Sequence, residues 1–330
     1  MQYLLLVVGL VLIIKGADVL IDSAAKIARR YGVSSFVIGI TVVAFGTSAP
    51  ELAVGIVSGI SKTNQLALGN IIGSSFSNTA LIVGLASVIM ALRVEDKVVR
   101  REIPMLIIIQ LILAAMLVFD GRLSRLDGAI LIAGFAAFML YIITDSKKSM
   151  RIEIDAQGDI DTNADGNRLS KQLAEAENKE SLLRLYFLSF LSLAGLFIGG
   201  RLTVSSSTEI SRALGLSETL IGLTVVALAT TMPELITSIM AALKKEPDIV
   251  LGNCIGSNIF NILLVLGSST LINPIITDKS VRVDLFIMTA LTLLVFAISW
   301  LKKAIGRKTG IILLAVYISY LVFKIISAVS

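Results

Sequence analysis

One stretch of 47 residues occurs twice in this chain. Gly32–Asn78 lies over Gly215–Asn261 at a constant offset of 183 residues, without a gap, and 21 of the 47 positions are identical. Two apolar helices can resemble each other through composition alone. Composition does not place Pro50-Glu51-Leu52 over Pro233-Glu234-Leu235, and Gly69-Asn70-x-x-Gly73-Ser74 over Gly252-Asn253-x-x-Gly256-Ser257, at a single offset. Whatever fold the chain adopts must contain one substructure twice.

The repeat sits in a membrane composition. Of the 330 residues 55% are hydrophobic and 16% charged, against about 25% charged in soluble domains. Apolar segments near the ~20 residues that cross a bilayer run over 2–23, 34–60, 65–91, 103–119, 127–144, 184–205, 217–243, 248–273, 283–301 and 309–328. They predict an all-α polytopic membrane protein with ten transmembrane helices. Five lie on each side of a polar stretch, which divides the chain into a first repeat (1–144), a polar loop (145–182) and a second repeat (183–330). An odd number of spans per repeat forces the second copy through the membrane in the opposite sense, as in the inverted repeats of many secondary transporters. Loops after the odd-numbered segments carry 20 Lys and Arg, and those on the other side carry 7. The positive side is cytoplasmic. The 145–182 loop then faces the cytosol, both termini face the extracellular or periplasmic side, and the protein belongs in the plasma (inner) membrane. The start, Met1-Gln2-Tyr3, lacks the basic region of a cleaved signal peptide and reads as the beginning of the first helix.

Composition also excludes some chemistry. The net charge of +5 is scattered over loops, as membrane topology requires, so nucleic acid is not an expected partner. The chain has no histidine, which argues against a histidine-lined zinc site or histidine proton relay. Cys254 is the one cysteine, so no intrachain disulfide can form. No nucleophile motif or obligatory protein partner is evident; the expected partners are ions and membrane lipid.

Each copy buries one carboxylate, Glu51 or Glu234, in an apolar segment. Such a group is costly unless paired or hydrated, and it marks function by default. Thr47-Ser48-Ala49-Pro50-Glu51 reads as a helix start, with a serine cap and proline in the first turn. The residue before a proline is pushed out of the helical region. A helix is expected to stop near Ala44–Gly46 and another to begin near Pro50, giving broken helices at the midplane. The break would release carbonyls around Ala44 and, in the second copy, around Ala227. Carbonyls, hydroxyls and one carboxylate per copy form an all-oxygen set suited to hard cations, calcium or sodium rather than magnesium. Ser74 and Asn78, one helical turn apart, share a face, and Ser257 and Asn261 repeat this. Lys15 is expected to pair with Asp18 or to snorkel, and Arg201 occupies the repeat position of Asp18. Asp161-Thr162-Asn163-Ala164-Asp165-Gly166-Asn167 begins like a calcium loop but lacks its final bidentate Glu, with Gln172 in that place, so a solvated linker is expected there.

At Gly46-Thr47-Ser48-Ala49-Pro50-Glu51 and Gly252-Asn253-Cys254-Ile255-Gly256-Ser257-Asn258 the chain resembles the prokaryotic sodium/calcium exchangers of the cation/calcium exchanger superfamily. The resemblance covers nearly the whole chain. It implies a secondary antiporter, not an enzyme, that exchanges sodium for calcium by alternating access and needs no cofactor. It implies that Glu51 and Glu234 are central calcium ligands and that Thr47 and Thr230 add oxygens. Ser48, Thr231, Ser74, Ser257 and the carbonyls of Ala44 and Ala227 would build flanking sodium sites, with Asn78 and Asn261 lining the middle. Segments 1 and 6 would slide past a fixed core. The chain departs from the family pattern at Ala229, Thr231, Ser75 and Asn261. Some relatives carry Asp at the position of Asn261, the potassium-dependent ones among them, so the amide here argues against potassium co-transport. Proton/calcium exchange through the same glutamates is the alternative, since desolvation raises a carboxylate pKa. A channel suits the paired design less well than alternating access.

Overall fold

The computed structural model describes residues 1–31, 33–62, 64–158, 181–215, 227–277 and 279–329. The architecture is helical. Helix α1 (Gln2–Arg30) is followed by α2 (Ser35–Thr47) and α3 (Ala49–Ile60), two halves of one path bent by 47°. Then come α4 (Ala67–Ile89), α5 (Val98–Val118), α6 (Arg125–Gly158) and α7 (Leu182–Ala213). After the short α8 (Ala227–Thr230) come α9 (Met232–Leu243), α10 (Pro247–Ile272), α11 (Lys279–Lys302) and α12 (Arg307–Val329). Among the described residues, eight helices are long and apolar enough to cross a membrane, or nine with the bent pair counted as one span. The sequence called for ten. Residues 217–226, the first part of the seventh expected segment, lie outside the described residues. The calcium-like loop Asp161–Asn167 lies outside them as well.

Several helices outrun the apolar segments that announced them. The first was expected to end at 23 and runs to Arg30, and the fifth runs past 144 to Gly158. The polar stretch from Asp145 thus begins as a continuation of α6. Hydropathy reports the length that lipid must cover, whereas the backbone ladder continues into water wherever the residues are helix formers.

Two small antiparallel pairs tie the halves of the chain together. β1 (Leu92–Arg93) pairs with β4 (Ala304–Ile305), and β2 (Arg122–Leu123) pairs with β3 (Ile275–Ile276). The innermost element is α10, in which every residue from Ile249 to Phe260 is buried. It crosses α2 backbone to backbone. A Cβ on Gly252 would stand 2.5 Å from the Phe36 carbonyl oxygen, and one on Gly256 would stand 2.7 Å from that of Ile40. Only glycine allows this approach, the small-residue rule of membrane helix packing. The same rule joins α1 to α7, where a Cβ on Gly199 would lie 2.7 Å from the Gly9 carbonyl oxygen.

Of the two expectations for Lys15, pairing with Asp18 or snorkelling, the pair does not form. Asp18 and Asp22 instead hold Lys244 at the end of α9, with Nζ–O distances of 2.6 and 2.7 Å. Lys244 reaches both acids, one turn apart on α1, and also donates to the Asp18 carbonyl at 2.6 Å.

Candidate ion-binding site

The site grows from the two helix breaks. In the first copy Ser48 leaves the helix with φ −84° and ψ 5°, and Pro50 sits in the first turn of α3. In the second copy Thr231 takes φ −82° and ψ −3°, with Pro233 in the first turn of α9. The break comes later than expected, since α2 persists through Thr47. Proline in a first turn needs only one non-helical residue ahead of it, and Ser48 supplies it. The Ala44 carbonyl is therefore not released: it accepts the Ser48 N–H at 3.0 Å and the Thr47 hydroxyl at 3.3 Å. Pro50 has no N–H, so the carbonyl deprived of its helical donor is that of Gly46; Pro233 does the same to Ala229. Ala227 opens α8.

The two copies meet at their breaks. Glu51 and Glu234 are each 1% exposed. Ser48 of the first copy donates to Oε1 of Glu234 at 3.2 Å. Thr47 donates to Oδ1 of Asn253 at 3.1 Å, and at the equivalent positions Thr230 donates to Oδ1 of Asn70 at 3.3 Å. Thr231 is buried beside its copy's glutamate break. The helices widen to π turns at Asn78–Ile82 and Asn261–Leu266, a local distortion frequent at functional sites. The first π turn packs against α9, which carries Glu234, and the second against α3, which carries Glu51.

The flanking residues divide. Asn78 donates to Oδ1 of Asn258 at 2.9 Å, and Asn258 donates to Thr79 at 3.2 Å. Ser74 turns back to the Asn70 carbonyl at 2.8 Å. Among the described residues, both carboxylate oxygens of Glu51, Oε2 of Glu234, Oδ1 of Asn78, both amide atoms of Asn261 and Oγ of Ser257 are buried without a hydrogen-bond partner. Buried polar atoms are normally paired. A concentration of oxygens left over at two abutting helix breaks, with no cation side chain among the described residues to neutralise the carboxyls, is the donor chemistry of a hard metal ion. No group of three or more His, Cys, Asp or Glu placed to hold a metal ion occurs among the described residues.

Sequence reasoning passed over Asn70 and Asn253 as site residues. Asn253 accepts from Thr47 and donates to Ser238 at 3.0 Å and to the Glu234 carbonyl at 3.4 Å. It therefore bridges the helix break of one copy to the glutamate turn of the other. The signal is present in the paired Gly-Asn-x-x-Gly-Ser motifs, which place one asparagine at the same position of each copy.

The family profile described as sodium/calcium exchanger protein matches residues 1–144 and 184–326. The sodium/calcium exchanger MaX1 of Methanosarcina acetivorans is 30% identical over 347 residues, covering 97% of this chain and 97% of its own. The putative antiporter CaxA of Alkalimonas amylolytica is 35% identical over 317 residues, covering 95% of each chain. A solved structure of the sodium-calcium exchanger NCX_Mj, soaked with sodium and strontium, superposes with a TM-score of 0.82 at 29% identity, covering 97% of each chain.

Proposed function

Because this chain belongs to the sodium/calcium exchanger family and is a multi-pass membrane antiporter of cations, we propose that it exchanges sodium for calcium at the paired helix breaks. Calcium and sodium are cargo, no cofactor is required, and the chain is a transporter rather than an enzyme. Glu51 and Glu234 are the central calcium ligands in this reading, with Thr47 and Thr230 alongside. Ser48, Thr231, Ser74, Ser257, Ala44 and Ala227 flank them as sodium ligands, and Asn78 and Asn261 line the middle. Ala44 contributes through the carbonyl lone pair left open when the Thr47 hydroxyl gives its one proton to Asn253, while the other lone pair holds the Ser48 N–H.

The observation that carries the reading is the Ser48–Glu234 hydrogen bond at 3.2 Å, which joins the helix break of one copy to the carboxylate of the other. Ligands drawn from both halves are what alternating access requires, because relative movement of two bodies then opens the same site to either side. The reading includes ten spans as two inverted five-helix repeats (1–144 and 183–330), a cytoplasmic connection over 145–182, both termini on the outer side, and residence in the inner membrane. Reciprocal contacts support the two-fold relation between the copies that an inverted repeat requires. Thr47–Asn253 and Thr230–Asn70 exchange places under the 183-residue offset, as do the β1–β4 and β2–β3 pairs to within one residue. Sodium is the coupling ion because the surplus of neutral oxygens suits a monovalent hard cation better than a proton, which needs only a carboxylate.

The test is radioactive calcium uptake into proteoliposomes loaded with sodium, set beside proteoliposomes given only a pH gradient. Sodium-driven uptake, lost in Glu51→Gln and Glu234→Gln, is the expected result. Uptake driven only by the pH gradient would assign proton/calcium exchange to the same carboxylates. Undiminished uptake in either variant would sink the site assignment.

A further inference from the structure

The chain has one tryptophan, Trp300. It lies near the end of α11, 46% exposed, with the exposed Leu301 beside it. Tryptophan at such a place sits at the headgroup level of a bilayer. Its ring is flanked by two cations: the Arg100 guanidinium at 5.6 Å and the Lys303 ammonium at 5.4 Å from the ring centre. These cations come from segments some two hundred residues apart in sequence, brought together by the β1–β4 clamp, in which Arg93 faces Ala304 and the Val94 N–H meets the Lys303 carbonyl at 3.0 Å. Arg307 is pinned to the same place by a 3.0 Å hydrogen bond to the Val88 carbonyl.

The acids nearby neutralise only part of this cluster, chiefly Lys303, although the Arg100 charge also acts on Asp96. Asp96 takes Lys303 at 2.5 Å, and Asp145 takes Lys97 and Arg101. Among the described residues, no acid pairs with Arg93, Arg100, Lys302, Arg307 or Lys308, all exposed. Surplus fixed cations around an interfacial indole and an exposed leucine offer two things at once: phosphate recognition and a place for the start of an acyl chain. The β2–β3 clamp has the same backbone form and no tryptophan.

We propose that the β1–β4 clamp is a binding site for an anionic phospholipid, with the headgroup phosphate held between Arg100, Lys302 and Arg93 and the glycerol end against Trp300. A lipid is favoured over free phosphate because the cations border exposed apolar side chains rather than a polar pocket. The site is independent of which ion drives exchange.

Trp300 reports on the site directly, because no other tryptophan contributes fluorescence. The full chain is reconstituted in phosphatidylcholine vesicles in which a fixed fraction of lipid is brominated on its acyl chains, either as phosphatidylglycerol or as phosphatidylcholine. Brominated phosphatidylglycerol is expected to quench Trp300 with a relative binding constant about fivefold above brominated phosphatidylcholine, the strength of a single basic side chain at the membrane surface. Raised salt lowers that preference, and the triple variant Arg93→Gln, Arg100→Gln, Lys302→Gln abolishes it while Trp300 still reports bilayer contact. Millimolar inorganic phosphate leaves it unchanged. Equal quenching by the two lipids overturns the proposal, as does a preference that survives in the triple variant; displacement by phosphate would make the ligand a free anion and overturn the lipid assignment. Glu51→Gln protein, inactive in exchange under the reading above, is expected to keep the preference, so failure of one reading is visible apart from failure of the other.

Discussion

At the scale of single residues, the site depends on side chains that hold other side chains. Asn253 satisfies Thr47, Ser238 and the Glu234 carbonyl together. Truncation to alanine strands buried partners at a cost of about 1–3 kcal/mol each. Asn253→Ala is therefore expected to lower the melting temperature of the purified protein and raise the KM for calcium; unchanged KM with lowered stability would limit Asn253 to packing. Asn261 offers a different kind of change, since both its amide atoms are buried without a partner among the described residues. Asn261→Asp puts a third carboxylate near the π turn that packs on α3, and the expected outcome is altered competition between calcium and monovalent ions in transport assays. Identical sodium and potassium dependence would show that this position does not tune selectivity. The glutamates could be read from sequence because a carboxylate in an apolar run is conspicuous by itself. Asn70 and Asn253 could not, because their partners lie 160 and 206 residues away, and nothing local says which helix an amide faces.

At the scale of elements, proline announced each helix break but not its register. Pro50 and Pro233 determine which carbonyls lose a donor, those of Gly46 and Ala229, while Ser48 and Thr231 take the N-cap positions without the expected side-chain capping bond, Ser48 giving its hydroxyl to Glu234 instead. Close packing of α10 on α2 gives a sharper test. A Cβ at Gly252 meets backbone atoms of Phe36 and Ile40 at 2.5 and 2.8 Å, whereas one at Gly134 first meets the Leu263 side chain at 3.5 Å. Backbone cannot give way as a side chain does, and overpacking of this kind costs about 1–3 kcal/mol. Gly252→Ala is expected to lower thermal stability and folded yield and Gly134→Ala to leave both unchanged; equal behaviour would mean that α10 and α2 are not held at this distance. Lys244 links elements through charge, since it fastens α9 to Asp18 and Asp22 of α1. That partnership was illegible in sequence, where Lys15 stood nearer to Asp18.

At the scale of the molecule, the proposed inversion makes a demand that local chemistry does not. Lys62 and Lys245 are separated by the same 183 residues, and each follows the end of its helix, α3 or α9, in the left-handed region with φ of 59° and 61°. Non-glycine residues visit that region rarely, and a β-branched one would be strained there. Two lysines holding it at equivalent positions mark one chain reversal built twice. Both are exposed. If the repeats are inverted, these reversals lie on opposite faces of the membrane, although sequence and backbone make them alike. With Cys254, which is buried, changed to serine, the substitutions Lys62→Cys and Lys245→Cys introduce one thiol each at matched positions. A membrane-impermeant maleimide applied to intact cells is expected to label the first and to reach the second only after permeabilisation. Labelling of both from the same side would remove the inversion, and with it the argument that one site opens alternately because its ligands come from two oppositely oriented copies.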